Sequence, residues 1–357
     1  MRFYKKKEII NCFLKKNSTI KDAIANLSKS AMQISIVLDN HNLLFGLLTD
    51  GDIRRALLKG FDLNDKIDNI IKKNPLIINK NSDAQSAAML MSSKALMHLP
   101  VINSDKSIFG LYAINDYQNK QIIKNHIIIM AGGLGKRLRP YTNNCPKPML
   151  KILGKPILEH IINNLALQGF RNITISVNYL AKNIVSYFGD GKKFGVKIDY
   201  IKEKKPLGTV GSLSLFKKKN TKPIFVINGD TITNIDLSEM LNFHVKNKAN
   251  ATMASKVITN SNPYGVIQTK GIDIVNFKEK PIDRIYINAG IYIFSQTMLK
   301  NLKKENKKDA PEFFLELKKK NKKIIIFPAH EEWKEIGTLE NFEKFLNKNE
   351  KSNNYSS

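Results

Sequence analysis

A glycine-rich segment follows a short apolar run near the middle of the chain, and it constrains the fold more than any other feature. The run is His126–Met130, and the segment Ala131–Leu150 reads AGGLGKRLRPYTNNCPKPML. An apolar run of this length suits a buried strand, and the glycines allow the following backbone to turn its N–H groups toward an anion. Arg137 adds a cation two residues after Gly135. The sequence therefore predicts a strand that ends in a phosphate-binding turn.

The predicted turn is followed by an alternation of helix and strand patterns. A helix is predicted at Lys155–Gln168, because Pro156 suits its first turn and Gly169 its C-terminal cap. Further strands are predicted in the apolar runs Asn172–Val177, Lys197–Ile201 and Pro223–Asn228. This alternation predicts an α/β domain over residues 125–350, Rossmann-like and built on a mostly parallel sheet. Ligands of such sheets lie at the carboxyl ends of the strands.

The first third of the chain contains an internal repeat. The segment GLLTDGDIRRAL begins at Gly46, and the related segment GLYAINDYQNKQ begins 64 residues later at Gly110. Each copy reads as helix, strand, turn, strand and helix, with first strands at Ile34–Leu38 and Leu99–Ile102. We therefore expect an α+β domain over residues 1–122, made of two units at about 8–60 and 72–121 that share one core.

The first copy of the repeat carries a nucleotide-binding pattern. The motif Gly-Leu-Leu-Thr-Asp-Gly-Asp that begins at Gly46 resembles a CBS domain, and the tandem arrangement resembles a CBS pair. The resemblance implies a site for an adenine nucleotide. In it, Thr49 offers a hydroxyl, Asp52 accepts hydrogen bonds from ribose, and Arg54 meets phosphate. A purely structural or dimerising role is the alternative.

The second copy departs from this pattern. Ala113 stands where the first copy has its threonine, although Asp116 is kept. Without the hydroxyl, the second copy is a poorer nucleotide site than the first.

The glycine-rich segment belongs to a longer pattern. Gly-Gly-x-Gly-x-Arg-x-x-Pro begins at Gly132, and Pro146-Lys147-Pro148 follows it. The spacing does not fit a dinucleotide fingerprint, since no third glycine falls where it would open a helix. The whole string resembles the signature of sugar-1-phosphate nucleotidyltransferases. The resemblance continues along Ile127–Phe345 in Pro206-Leu207-Gly208-Thr209-Val210-Gly211, Asn228-Gly229-Asp230, Pro263-Tyr264-Gly265, Glu279-Lys280-Pro281 and Asn288-Ala289-Gly290.

This resemblance implies a reaction in which a sugar-1-phosphate oxygen attacks the α-phosphorus of a nucleoside triphosphate and pyrophosphate leaves. Catalysis of this kind is mainly positioning and charge neutralisation. The implied catalytic residues are Arg137, which neutralises pyrophosphate, Lys147, which contacts phosphate, and Asp230, which holds Mg²⁺. The implied nucleotide-binding residues are Gly132, Gly133, Gly135, Gly208 and Gly211. The implied sugar-phosphate residues are Glu203, Tyr264, Glu279, Lys280 and Asn288.

The second implied metal ligand departs from the family pattern. The family has an aspartate in a Trp-x-Asp-x-Gly segment, whereas Trp333-Lys334-Glu335-Ile336-Gly337 carries glutamate. Its carboxylate reaches about one methylene further, so either Glu335 binds Mg²⁺ in a shifted geometry or Asp230 and water hold the ion alone. A catalytically weakened, regulatory nucleotide-binding protein is a third hypothesis.

The combination of a leading CBS-like pair with Asn-Gly-Asp and Tyr-Gly-Val segments resembles guanylyltransferases that act on mannose-, glucosamine- or heptose-1-phosphate. This resemblance implies GTP as the nucleotide and a product used for surface-glycan, flagellin or nonulosonate sugars. The alternative enzyme is a uridylyl- or thymidylyltransferase acting on glucose 1-phosphate. We expect a homo-oligomer.

The net charge of +27 bears on the choice of partners. The lysines are spread along the chain without an RNA-binding signature, so nucleic acid is not expected, while the positive field would help to collect anionic substrates. No apolar run reaches the ~18 residues of a membrane helix and no secretory pattern is present, so no membrane association and a cytoplasmic location are expected. Cys12 and Cys145 have no metal-ligand spacing and are expected to be free thiols. Residues 351–357 are expected to form a disordered tail.

Overall fold

The computed structural model describes residues 1–30, 32–94, 96–114, 122–217, 222–261 and 263–343. The chain divides into two compact units, Met1–Gln121 and Ile122–Ser357. The predicted tail and Asp116 lie outside the described residues. No helix in the described ranges is long and apolar enough to cross a membrane.

The first unit contains short strands and helices that form two sheets. Its strands are β1 Arg2–Lys5, β2 Phe13–Lys15, β3 Ile34–Leu38, β4 Leu44–Thr49, β5 Lys72–Lys73, β6 Ile78–Asn79, β7 His98–Ile102 and β8 Ile108–Ala113. Its helices are α1 Ile20–Lys29, α2 Asp50–Leu58 and α3 Ala84–Ser93. The sheets have the strand orders β2-β3-β4-β5 and β1-β8-β7-β6.

The internal repeat of the sequence reappears as a repeat of these elements. Strands β3 and β7, strands β4 and β8, and helices α1 and α3 each begin and end 64 residues apart. In the first copy β3 pairs with β4, and in the second copy β7 pairs with β8; both pairs are antiparallel. Apolar side chains from both copies, among them Ile36, Leu47, Ile102 and Leu111, pack in one buried cluster. The two copies therefore share a core, as a repeat too small to bury its own apolar face requires.

The second unit is an α/β structure. Its strands are β9 Ile123–Met130, β10 Lys151–Ile152, β11 Lys155–Pro156, β12 Phe170–Val177, β13 Lys197–Lys202, β14 Ile224–Asn228, β15 Thr231–Thr233, β16 Ala251–Ser261, β17 Val266–Lys270, β18 Asp273–Lys278, β19 Ile282–Phe294, β20 Ile324–Ala329 and β21 Trp333–Glu335. Its helices are α4 Ile157–Leu167, α5 Ala181–Phe188, α6 Gly208–Gly211, α7 Leu237–Lys246, α8 Gln296–Leu299 and α9 Ala310–Lys319. Helix α4 begins at Ile157 rather than at the predicted Lys155, because Lys155 and Pro156 pair with β10 in a short hairpin.

The main sheet of this unit has the strand order β13-β12-β9-β14-β19-β16-β20. All neighbouring pairs in this order are parallel except the two made by β19, which runs antiparallel to β14 and β16. The mostly parallel, Rossmann-like sheet predicted from the alternation of patterns is thus confirmed. The antiparallel strand β19 was not predicted.

Alternating side chains of the central strand enter two different cores. Ile127 and Ile129 of β9 lie in the cluster that contains Leu158 of α4, whereas Ile128 lies in the cluster that contains Phe313 of α9. Successive residues of a strand point to opposite faces of a sheet. The sheet is therefore covered on both faces, and its carboxyl edge is left for a ligand.

Candidate active site

Strands β9 and β14 lie side by side in the sheet, and the chain leaves them in different directions. The strand order β13-β12-β9-β14 places their carboxyl ends at the point where the order reverses. Such a switch point opens a crevice that binds ligands in parallel α/β sheets. The backbone N–H of Gly229, the residue after β14, donates to the carbonyl oxygen of Met130, the last residue of β9, at 2.9 Å. This hydrogen bond keeps the carboxyl ends of the two strands together.

The glycine-rich segment leaves β9 at this crevice. An added side chain at Gly132 would come within 3.0 Å of Glu203 Oε1, whereas nothing lies within 4 Å of such a position at Gly133. Gly135 has a φ of +62°, and its carbonyl oxygen accepts a hydrogen bond from the Thr142 hydroxyl at 2.9 Å. Glycine favours this left-handed conformation because it has no Cβ, and an added side chain would also lie 2.9 Å from Thr142 Cγ2. The bend leads directly into the single 3-10 turn that carries Arg137.

A lysine and an aspartate from distant parts of the chain meet at the same edge. Asp230 follows β14, and Lys147 lies in a 3-10 turn at Lys147–Met149. Lys147 Nζ forms an ion pair with Asp230 Oδ2, and the two side chains are only 14% and 15% exposed. The other carboxylate oxygen, Asp230 Oδ1, is buried and has no hydrogen-bond partner among the described residues. A buried carboxylate oxygen without a partner is costly, and it fits a ligand atom for a hard divalent cation.

Leu207, Gly208 and Thr209 form another part of the wall. They belong to the segment Leu207–Gly211, which includes the one-turn helix α6 and which we call the turn Leu207–Gly211. Both carboxylate oxygens of Glu203 are engaged next to it, since Oε1 accepts from the Ser176 hydroxyl at 2.7 Å and Oε2 from Leu207 N–H at 2.8 Å. Gly208 has a φ of +75°. An added side chain at Gly211 would lie 2.6 Å from Asn306 O, so this glycine permits close packing behind the wall.

These parts enclose a cavity of 460 Å³. The predicted site residues that line it are Gly132, Gly133, Gly135, Arg137, Lys147, Glu203, Gly208 and Asp230. Glu203 therefore lies beside the glycine-rich segment, although it was predicted as a sugar-phosphate residue. Gly211 is next to the cavity wall and does not line it.

Three charged residues that line the cavity were not predicted from the sequence. Lys136, Lys307 and Asp309 all line the cavity. Lys136 lies inside the glycine-rich segment, at a position that the Gly-Gly-x-Gly-x-Arg pattern leaves open. Asp309 precedes an Ala-Pro pair, which predicts the start of a helix. That local pattern contains no signal that would place Asp309 beside a turn 100 residues earlier in the chain.

Four predicted sugar-phosphate residues lie outside the cavity lining. One is Asn288, and the other three lie at the base of the β17–β18 hairpin. Tyr264 precedes the hairpin and is 75% exposed, and Glu279 and Lys280 follow it and are exposed. An added side chain at Gly265 would lie 3.1 Å from Glu279 Oε2, so the two ends of the hairpin are adjacent.

Asn288 lies on β19, where the strand bulges. Its pairing with β16 is irregular between Met253 and Ser255. Asn288 Oδ1 accepts from Gly290 N–H at 3.0 Å, and Asn288 Nδ2 donates to the Tyr292 hydroxyl at 2.8 Å. Burial raises the pKa of Tyr292 to about 12, and the nearby carboxylates of Asp230, Glu335 and Asp309 add to that rise. The Tyr292 phenol therefore stays neutral, within the field of three acidic groups.

The backbone of Glu335 lies close in space to that of Asp230. It pairs with Thr231 in the β15–β21 ladder, and Ile336 N–H donates to Asp230 O at 3.1 Å. The Glu335 side chain turns toward Gly337, where an added side chain would lie 2.8 Å from Glu335 Oε1. Gly337 lines the cavity and Glu335 does not.

Comparison with known proteins gives the family. The model of the family "Nucleotidyl transferase" matches residues 126–352, which is more than half of the chain. The chain belongs to the nucleotidyl transferase family. We call the second unit the transferase domain. Members of this family generally use a divalent metal ion.

Relatives of the transferase domain include two named guanylyltransferases. A D-glycero-alpha-D-manno-heptose 1-phosphate guanylyltransferase from Aneurinibacillus thermoaerophilus is 34% identical over 219 residues, which are 61% of this chain and 95% of that protein. A mannose-1-phosphate guanylyltransferase from Mycobacterium tuberculosis is 32% identical over 223 residues, 60% of this chain. The chain spans 62% of the length of this mycobacterial relative.

A solved structure has the same fold as the transferase domain. The crystal structure of HddC from Yersinia pseudotuberculosis superposes with a TM-score of 0.50 and 26% identity, over 63% of this chain and 99% of that one. The same protein has also been solved in complex with GMP-PN.

The first unit contains a CBS domain, whose family model matches residues 7–59. The three side chains predicted to bind a nucleotide there are engaged locally. Asp52 Oδ2 accepts from the Thr49 N–H at 2.9 Å and from the Thr49 hydroxyl at 2.6 Å, a capping box that begins α2. Arg54 forms a two-pronged ion pair with Asp50, at 2.5 and 3.2 Å. Nucleotide binding by these residues remains a proposal.

Proposed function

We propose that the transferase domain transfers a nucleoside monophosphate from a nucleoside triphosphate, with GTP favoured, to a sugar 1-phosphate, and releases pyrophosphate. The observation that carries the proposal is the cavity at the switch point. It combines a glycine-rich turn, the cations Arg137 and Lys147, and the carboxylate of Asp230. A triphosphate requires this combination of close backbone approach and concentrated positive charge.

In this reaction the protein holds the two substrates in place and neutralises the charge of their phosphate groups. The sugar-1-phosphate oxygen attacks the α-phosphorus, the bond from that phosphorus to the bridging oxygen of the β-phosphate breaks, and the electron pair leaves with pyrophosphate. The open space at Gly133 allows the phosphates to approach the backbone. Arg137 would neutralise the charge that develops on pyrophosphate, and Lys147 would orient a phosphate oxygen while keeping its ion pair with Asp230.

We propose Asp230 and Glu335 as the residues that would hold Mg²⁺. The support is the buried, unpartnered Asp230 Oδ1 and the backbone contact that joins Asp230 to the strand of Glu335. When bound, Mg²⁺ would offset the negative charge of the substrate's phosphate groups. Few protein ligands suffice, because Mg²⁺ keeps several waters and takes further oxygens from the substrate.

The choice of GTP and of the sugar is argued from the relatives. Both relatives described above are named guanylyltransferases, one for a heptose 1-phosphate and one for mannose 1-phosphate. We propose that the sugar phosphate is bound on the side of Asn288 and the hairpin residues Tyr264, Glu279 and Lys280. The nucleotide sugar would then serve the synthesis of surface glycans or of flagellin and nonulosonate sugars in the cytoplasm.

A pyrophosphate-release panel tests the proposal. Four nucleoside triphosphates are crossed with the 1-phosphates of glucose, mannose, glucosamine and heptose, each with Mg²⁺. We expect release with GTP and one of the last three sugars. Release with UTP or dTTP and glucose 1-phosphate would overturn the assignment of base and sugar. The absence of release from every combination would overturn the enzymatic assignment.

A further inference from the structure

Asp309 lies at the N-cap position of helix α9, but its side chain does not cap that helix. An aspartate at this position usually accepts a hydrogen bond from a backbone N–H in the first turn of its own helix. Asp309 Oδ1 instead accepts from the backbone N–H of Thr209 at 3.1 Å, with the Thr209 hydroxyl at 3.5 Å. The carboxylate is thus directed at the turn that forms a wall of the cavity.

Backbone hydrogen bonds join the same two segments. Lys308 N–H donates to Leu207 O at 2.9 Å, and Lys308 O accepts from the N–H groups of Val210 and Gly211, both at 3.1 Å. The segment before α9 therefore runs along the whole turn Leu207–Gly211. Asp309 adds a charged acceptor to this set, and hydrogen bonds to charged groups are the stronger ones.

The turn is shaped to fit against this carboxylate. Gly208 has a φ of +75°, and an added side chain there would lie 2.5 Å from Asp309 Oδ1. Leu207, Gly208, Thr209 and Asp309 all line the cavity. A turn with two glycines samples many conformations unless its surroundings fix it.

We propose that Asp309 is a positioning residue for the nucleotide, because it holds the turn Leu207–Gly211 in the shape that closes one wall of the cavity. The inference rests on the proposed function, since it takes the ligand of this cavity to be a nucleoside triphosphate. A nucleotide that meets a loose turn must order it on binding, which lowers its apparent affinity by the fraction of molecules in the competent shape. The hydrogen bonds of Asp309 are to the turn, so the role assigned to it is in nucleotide binding and not in the chemical step.

Titration of GTP, with binding measured by calorimetry and turnover by pyrophosphate release, tests this role. Asp309→Ala should raise both the Kd and the KM for GTP by about tenfold, the size expected from one lost hydrogen bond to a charged group. The kcat and the KM for the sugar phosphate should stay within twofold of the wild type. Asp309→Asn should recover most of the affinity, because an amide oxygen still accepts from Thr209 N–H.

A matched control comes from helix α7. Asp236 caps that helix in the ordinary way, accepting from Ser238 N–H at 2.8 Å and Glu239 N–H at 3.1 Å. Asp236→Ala should lower the melting temperature and leave the Kd for GTP unchanged. A Kd for GTP in Asp309→Ala within twofold of the wild type would overturn the inference and leave the proposed function standing. GTP binding without turnover in the wild type would overturn the proposed function alone, since the Kd comparison still tests Asp309.

Discussion

Asp230 divides its two carboxylate oxygens between different environments. One oxygen pairs with Lys147, while the other is buried without a partner among the described residues. Asp230→Asn keeps the shape and removes the charge, so turnover should fall by about 100-fold or more while the melting temperature stays close to that of the wild type. Pyrophosphate release and thermal unfolding measure the two effects.

The control for this substitution is Asp190→Asn, which makes the same change in an exposed pair with Lys192. It should leave turnover unchanged. Turnover of Asp230→Asn within threefold of the wild type would remove Asp230 from the proposed catalytic residues.

Glu335 stands where the resemblance to nucleotidyltransferases implies an aspartate. Its backbone pairs with β15 next to Asp230, but its side chain turns over Gly337. If its carboxylate helps to hold the metal ion, Glu335→Gln should raise the Mg²⁺ concentration for half-maximal turnover by about tenfold, and Glu335→Asp should not. Unchanged Mg²⁺ dependence in Glu335→Gln would leave Asp230 and water as the ligands. A large gain of turnover in Glu335→Asp would support the weakened, regulatory protein instead.

At the scale of elements, the bulge in strand β19 packs against residues next to Asp230. Gly290 has a φ of +72°, and an added side chain there would lie 2.7 Å from Asn228 Nδ2 and 3.0 Å from Thr231 Oγ1. Gly290→Ala should therefore destabilise the domain by about 1–3 kcal/mol and lower turnover, because both neighbours flank Asp230. Denaturant unfolding measures the loss.

Gly154→Ala separates steric crowding from backbone strain. Gly154 has a similar φ of +77°, but nothing lies within 4 Å of an added side chain. It should cost about 1 kcal/mol from its backbone alone, with turnover unchanged. Equal losses in the two variants would show that the bulge tolerates a side chain.

The elements that the sequence predicted are those whose signal is local. The strand predicted at His126–Met130 is found at Ile123–Met130, and the helix predicted at Lys155–Gln168 is found at Ile157–Leu167. These elements and the glycine-rich turn each carry their pattern within about 15 residues of chain. The antiparallel strand β19, its bulge and the contact between Asp309 and Thr209 depend on segments far apart in sequence. No local pattern specifies such a pairing. The contact between Asp309 and the turn Leu207–Gly211 could therefore be found only in the folded chain.

At the scale of the whole molecule, the chain joins two units with separate cores. The apolar clusters of the first unit contain residues up to Ile114, and those of the transferase domain begin at Ile123. A nucleotide site in the first unit would add a second ligand to the protein, and a ligand that binds only the folded state stabilises it.

AMP tests that site, because it lacks the triphosphate of the substrate proposed for the transferase cavity. AMP should raise the melting temperature of the wild type, and the rise should persist in Arg137→Ala, which weakens only the transferase cavity. Asp52→Ala should abolish the rise, since Asp52 is the proposed ribose acceptor. That substitution also breaks the capping box of α2, which by itself costs about 0.5–2 kcal/mol.

Asp22 supplies the control for this loss of a cap. It forms the same capping box with Thr19 at the start of α1, accepting from the Thr19 N–H at 2.8 Å. Asp22→Ala should lower the melting temperature by a similar amount and keep the rise with AMP. A wild type that does not respond to saturating AMP would instead support a packing or dimerising role for the first unit, since its Thr49 and Asp52 side chains already satisfy each other. An Asp52→Ala variant that still responds would remove Asp52 as the proposed ribose acceptor.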